Sequence, residues 1–179
     1  VFQPVKTMVE RHLDTFKKLG FVVNLSQPIF PDKAVISNDI LEFSGEKGSY
    51  KWIGIEPFAQ YESIVYPLVL MQKVIDLLAE NNGYKICLFG GGKEETEKLN
   101  SLAKQRENCI VVAGKIKLNQ ELQLISNLDV MLSMDSGNAH IAAMLGTNVI
   151  TLWGATHPFA GFAPFNQPLE NCLTSDREK

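Results

Sequence analysis

The sequence has little cysteine, no surplus of positive charge and no long apolar run, and each shortage closes off a class of function. Three cysteines, Cys87, Cys109 and Cys172, are odd in number and widely spaced, so a disulfide scaffold is excluded, and no Cys/His spacing suggests a zinc site. Cys87 and Cys109 sit in apolar, strand-like runs and read as reduced core residues of a cytoplasmic protein. Seventeen Lys and Arg against 20 Asp and Glu leave a net charge of −3, which gives no broad field to draw nucleic acid or an anionic bilayer. Any phosphate contact must be local. No apolar segment reaches the roughly 18 residues of a membrane span, and no secretory signal pattern is present. Neither G-x-G-x-x-G nor G-x-x-x-x-G-K-[ST] occurs, so the dinucleotide and P-loop fingerprints are missing. There is no initiator methionine, and the chain starts inside what reads as a helix. The expectation is a piece of a longer protein.

What is present is ordinary for a folded domain: 45% hydrophobic and 21% charged residues over a length of 179, enough for one well-cored domain. Val5, Met8, Val9, Leu13, Phe16 and Leu19 line one face of an amphipathic helix that Gly20 ends. Residues 24–48 read as a connector with a short strand near Ala34–Ile36. From Tyr50 on, strand and helix alternate. Strands are expected at Lys51–Glu56, Lys85–Phe89, Cys109–Val112, Val130–Met134 and Val149–Trp153. Pro67 opens one helix, Asn119 is expected to cap another, and Glu94, Glu95 and Glu97 come early in the helix between the second and third strands, where they suit its dipole. That alternation predicts an α/β fold, a parallel sheet covered by helices on both faces.

The junction at Asp135-Ser136-Gly137 carries the most chemistry. A buried strand ends there and a small-residue helix begins, with His140 in its first turn and Gly146 as the expected C-cap. In an open parallel sheet ligands bind outside the carboxyl ends of the strands, and a helix N-terminus there offers free N–H groups to an anion. The junction therefore proposes a pocket for a phosphate-bearing ligand. Plainer readings stand beside this one: Asp135 or Ser136 as a cap only, Gly137 as a packing residue, and His140 as a core histidine.

Ser-Met-Asp-Ser-Gly-Asn-Ala-His-Ile-Ala-Ala-Met-Leu-Gly-Thr (residues 133–147), followed by Leu-Trp-Gly-Ala-Thr-His-Pro (residues 152–158), resembles the signature of the family-9 glycosyltransferases, the heptosyltransferases of lipopolysaccharide core assembly. The likeness extends more weakly from about Trp52 onward. It implies one half of a GT-B architecture: residues 1–48 would be the end of an N-terminal domain and its linker, and residues 49–179 the C-terminal Rossmann-like, donor-binding domain. It also implies that Asp135, Ser136, Gly137 and His140 line the donor pocket, near the diphosphate of a nucleotide-sugar. The catalytic base would lie in the missing N-terminal domain, so this chain would contribute no catalytic base and would be inactive alone. No metal or cofactor is implied.

Three further loops share the expected ligand edge. In residues 57–66 the resemblance implies a phosphate-contacting lysine three residues before Pro67, but Ile64 stands there. Lys73 is two turns into the helix and too far to substitute. Ala59 and Gln60 remain as backbone and side-chain candidates. Gly90-Gly91-Gly92 permits close approach of backbone to a phosphate or sugar, with Gly91 and Gly92 as donor-binding candidates, and Glu94 or Glu95 is a candidate ribose contact. In the third loop Thr156 and His157 could bond a phosphate or sugar hydroxyl, while Phe159, Phe162, Pro164 and Phe165 pack the loop or wall the cleft.

The reading is then a nucleotide-sugar-binding domain of a glycosyltransferase. The parent enzyme would move a heptose or related sugar from an ADP-heptose-like donor to a lipopolysaccharide core acceptor, in the cytoplasm or at the inner face of the inner membrane. The alternative is a catalytically inactive nucleotide or sugar-phosphate binding module of the same fold.

Overall fold

A computed structural model describes residues 3–175. Five apolar runs of the sequence and one short edge segment form six parallel strands: β1 (Lys51–Glu56), β2 (Tyr84–Leu88), β3 (Cys109–Val111), β4 (Val130–Met134), β5 (Asn148–Trp153) and β6 (Cys172–Thr174). Their order in the sheet is β3-β2-β1-β4-β5-β6. Strands that are apolar on both sides need cover on both faces, and helices supply it. On one face α3 (Leu68–Ala79) and α4 (Gly92–Ala103) bury Met71, Ile75, Leu99 and Leu102 against Ile53, Ile55, Ile86 and Leu88. On the other, α5 (Leu118–Ser126) and α6 (Gly137–Met144) pack Leu124, Ile125, Ala139, Ala142 and Ala143 against Trp52, Cys87 and Met131. The alanines let α6 lie close to the sheet, and Gly146, at φ 76°, turns the chain out of it.

The fold is thus the α/β, Rossmann-like parallel sheet that the alternation predicts, with differences that have local causes. No strand forms at residues 34–36. The Ala34 N–H donates to Ser126 Oγ and its carbonyl accepts from Asn127 Nδ2, while the Ser37 N–H donates to Gln123 Oε1. Side chains around the end of α5 therefore satisfy that backbone, and no strand partner is needed. A short helix, α2 (Asn38–Ser44), follows and buries Ile40 in the core. The helix α5 starts one residue before Asn119, with the Lys117 N–H held by Gln120 Oε1 at 3.0 Å. The sixth strand was not foreseen. Nor is the cover complete among the described residues: beside α3, the face of β4, β5 and β6 forms an open apolar groove of about 660 Å³ lined by Val130, Leu132, Ile150, Leu152 and Leu173.

The first helix, α1 (Met8–Lys18), begins at a capping box in which Thr7 Oγ1 accepts from the Glu10 N–H and the Glu10 carboxylate accepts from the Thr7 N–H. It buries no residue. Main-chain bonds from the Val5 N–H to the Phe159 carbonyl and from the Met8 N–H to the Gly161 carbonyl tie it to the loop after β5. Cys87, Cys109 and Cys172 are free thiols, and burial pushes the Cys87 thiol up to about 12, which leaves it protonated and inert.

Candidate functional site

The connections from β1 and β4 run in opposite directions across the sheet: β1 leads through α3 to β2, and β4 leads through α6 to β5. Between their carboxyl ends the chain parts, and ligands of doubly wound sheets bind outside that switch point. A cavity of about 640 Å³ opens there. Three segments build it. The loop after β1 contributes Phe58, Ala59, Gln60, Tyr61 and Ile64, the β4–α6 junction contributes Asp135, Ser136, Gly137 and His140, and the loop after β5 contributes Thr156 and Phe162. Glu56 and Glu95 complete the lining.

Seven of the nine donor-site candidates, Ala59, Gln60, Asp135, Ser136, Gly137, His140 and Thr156, therefore line one cavity. Gly91 and Gly92 start α4 on the same edge of the sheet but do not line it, and the Gly91 N–H is already taken by Glu95 Oε2 at 2.7 Å. Glu94 pairs with Lys98 at 2.7 Å and faces solvent. His157 is outside the cavity too. Its Nδ1 accepts from the Phe159 N–H at 3.1 Å, which caps a short 3-10 turn at Pro158–Ala160. His140 is exposed and lines the cavity, so it is no core histidine. Ile64 is 7% exposed, and Lys73 projects from an exposed position on α3, outside the lining.

Gly154 brings the loops together. A Cβ there would stand 2.7 Å from Ile64 Cα and 3.0 Å from the Ser63 carbonyl oxygen, and the Ala155 N–H donates to that same carbonyl. Only glycine allows this approach. Just beyond it, Thr156 Oγ1 is buried and without a hydrogen-bond partner among the described residues. A buried hydroxyl left unpaired costs folding free energy, so its position at the cavity marks a place where a ligand can supply the partner.

Glu56 is the residue sequence reasoning missed. It ends β1, opposite Ser133 of β4 in the ladder. Its carboxylate accepts from Ser133 Oγ at 3.1 Å and, at very short range, from Ser136 Oγ; the Asn138 main-chain N–H also acts on it. Burial pushes its carboxyl above the usual glutamate range, against the opposing pull of the two serine hydroxyls. The Ser136 hydroxyl is committed to Glu56, and it makes no capping bond to α6. The available signal was a carboxylate closing an apolar strand run just before Pro57. Among the lining residues no Lys or Arg is found, while Glu56, Glu95 and Asp135 bring three carboxylates. Among the described residues no three His, Cys, Asp or Glu side chains are grouped so as to hold a metal ion.

Six parallel strands in this order, with a cavity at the switch point, define a Rossmann-type α/β domain. The sequence pattern of glycosyltransferase family 9 (heptosyltransferase) matches residues 2–179, and the chain belongs to that family. It is 35% identical over 111 residues to lipooligosaccharide heptosyltransferase 2 of Haemophilus influenzae, a match covering 59% of this chain and 32% of that protein. The matched segment thus spans about a third of the length of that relative. Its fold superposes on a family-9 glycosyltransferase of Veillonella parvula with a TM-score of 0.75 at 20% identity, covering 98% of this chain and 52% of the other. Against Escherichia coli heptosyltransferase WaaC with ADP the TM-score is 0.67 at 23% identity, covering 93% and 49%.

Proposed function

We propose that this chain is the donor-binding half of a heptosyltransferase, holding a nucleoside-diphosphate sugar of the ADP-heptose type in the switch-point cavity. The observation that carries the reading is the convergence there of seven residues from three loops, with the N-terminus of α6 and the unpaired Thr156 hydroxyl among them. The match to WaaC, whose structure holds ADP, supports it. The diphosphate lies against Ser136, Gly137 and the first N–H groups of α6, where the helix dipole favours an anion. The Thr156 hydroxyl faces the diphosphate, the sugar lies toward Phe162, and Gln60 with the Ala59 backbone closes the other side.

The reaction is direct displacement at the anomeric carbon. A base from the other half of the enzyme takes the proton of a lipopolysaccharide-core hydroxyl, the C–O bond to the new acceptor forms, and the bond to the diphosphate breaks. His140 and the α6 N-terminus hold the charge that develops on the leaving diphosphate. The work is done in the cytoplasm, at the inner face of the membrane that carries the acceptor. No helix among the described residues is long and apolar enough to cross that membrane. The cavity's three carboxylates and lack of Lys or Arg favour one rival, a binding module of this fold without transferase activity.

Transfer assays separate the two. With ADP-heptose and a core acceptor, this chain alone gives no product above background. An enzyme in which it is joined to an N-terminal half turns over, and His140→Gln lowers its kcat by about a hundredfold or more. No turnover by the joined enzyme would favour the rival, whereas turnover unchanged by His140→Gln would remove His140 from the mechanism and leave transfer standing.

A further inference from the structure

We propose that Glu56 is a built-in anion at the phosphate end of the donor cavity, and that the nucleotide binds there with uptake of one proton by Glu56. The proposal rests on the donor-site reading above. Its own ground is the hydrogen-bond geometry at the head of α6. An N-cap side chain ordinarily accepts from the first N–H groups of its helix. Here Ser136 makes no such bond, and its hydroxyl donates to the Glu56 carboxylate instead. Glu56 reaches across from β1 and collects the donors of the junction: Ser133 Oγ, Ser136 Oγ and the Asn138 N–H. A diphosphate arriving at the same helix end meets a carboxylate already seated on these groups.

Among the described residues no Lys or Arg lines the cavity to neutralise Glu56. Glu95 on α4 adds like charge from one side, and Asp135 adds another carboxylate to the same lining. His140 is the one lining residue able to carry positive charge, and Ile64, Tyr61 and Thr156 carry none. Two anions held side by side in one cavity, one of them on a buried carboxylate, repel unless one is neutralised. A diphosphate diester keeps its charge near neutral pH, so the proton goes to Glu56. Burial already favours that protonated form. Once protonated, the carboxyl has an O–H to offer and becomes a donor to a phosphate oxygen. The same group that excludes the anion when ionised therefore helps to hold it when neutral.

The test is calorimetric titration with ADP-glucose, a diphosphate diester whose charge is constant over the range from about pH 5 to pH 8. The wild-type chain should take up a proton on binding, seen as a heat that changes with the ionisation enthalpy of the buffer. Its affinity should fall by up to about tenfold for each pH unit above the point where Glu56 ionises. Glu56→Gln should flatten that fall and tighten binding at the alkaline end by about tenfold. His140 shares the cavity lining with Glu56, so the titrations are repeated on His140→Gln, which should keep the Glu56-dependent part. The buffer comparison on His140→Gln, where uptake by the imidazole is gone, decides the matter even if Glu56→Gln does not fold. Binding with no proton uptake, or with the same pH profile in wild type and Glu56→Gln, would overturn the proposal and leave the donor-site reading standing. No binding by either form at any pH would overturn both.

Discussion

Thr156 isolates the ligand question at the scale of one side chain. Its hydroxyl is buried, bonded to nothing among the described residues, and set in the cavity lining. Valine has nearly the same shape without the hydroxyl. Thr156→Val should therefore leave thermal stability unchanged or raise it by about 1 kcal/mol, because no internal hydrogen bond is lost. ADP affinity should fall by about threefold to tenfold, the worth of one neutral hydrogen bond at 1.4 kcal/mol per decade. A fall in stability with unchanged affinity would mean that the hydroxyl serves the fold and not the ligand. Thr156 was legible in the sequence because it follows a strand in a glycine-containing loop. Glu56 was not, because a carboxylate at a strand end usually faces solvent, and only the β1–β4 pairing shows that this one faces two serines.

The elements were legible where their periodicity ran long enough to count. β1 and β4 have the ends the apolar runs give them, and α3 opens just after Pro67 as its ring geometry favours. Short pieces escaped. β6 has three residues on the sheet edge, two of them exposed, so no alternation betrays it. α2 hides behind a Ser-Asn-Asp start that also spells a loop. The seating of the loop after β1 was invisible too, since it depends on the contact between Gly154 and Ile64 across about 90 positions of chain. That contact bears on Ile64, the position where the sequence departs from the lysine the family resemblance implies. The structure puts Ile64 in the cavity lining. Ile64→Lys should then place a cation beside the diphosphate and tighten ADP binding by about tenfold or more, from a charge-assisted bond of about 1.5–3 kcal/mol. The gain should shrink as salt rises, because the cavity is open to solvent. Equal affinities of the two forms at low salt would mean that residue 64 does not face the phosphates.

At the scale of the whole molecule, the strand order does most to locate function. It places the switch point between β1 and β4, and every loop that reaches the cavity leaves the carboxyl end of a strand. Membership of family 9 groups this chain with heptosyltransferases, and its match to the Haemophilus influenzae relative covers about a third of that protein. The central claim is that the nucleotide diphosphate sits in this cavity, and the measurement closest to it is a crystal structure of the chain with ADP. The account predicts the phosphates at the N-terminus of α6, within hydrogen-bond reach of Ser136, Gly137 or Thr156, with Glu56 beside them. ADP lying instead in the apolar groove along β4, β5 and β6, or at the opposite edge of the sheet, would contradict it.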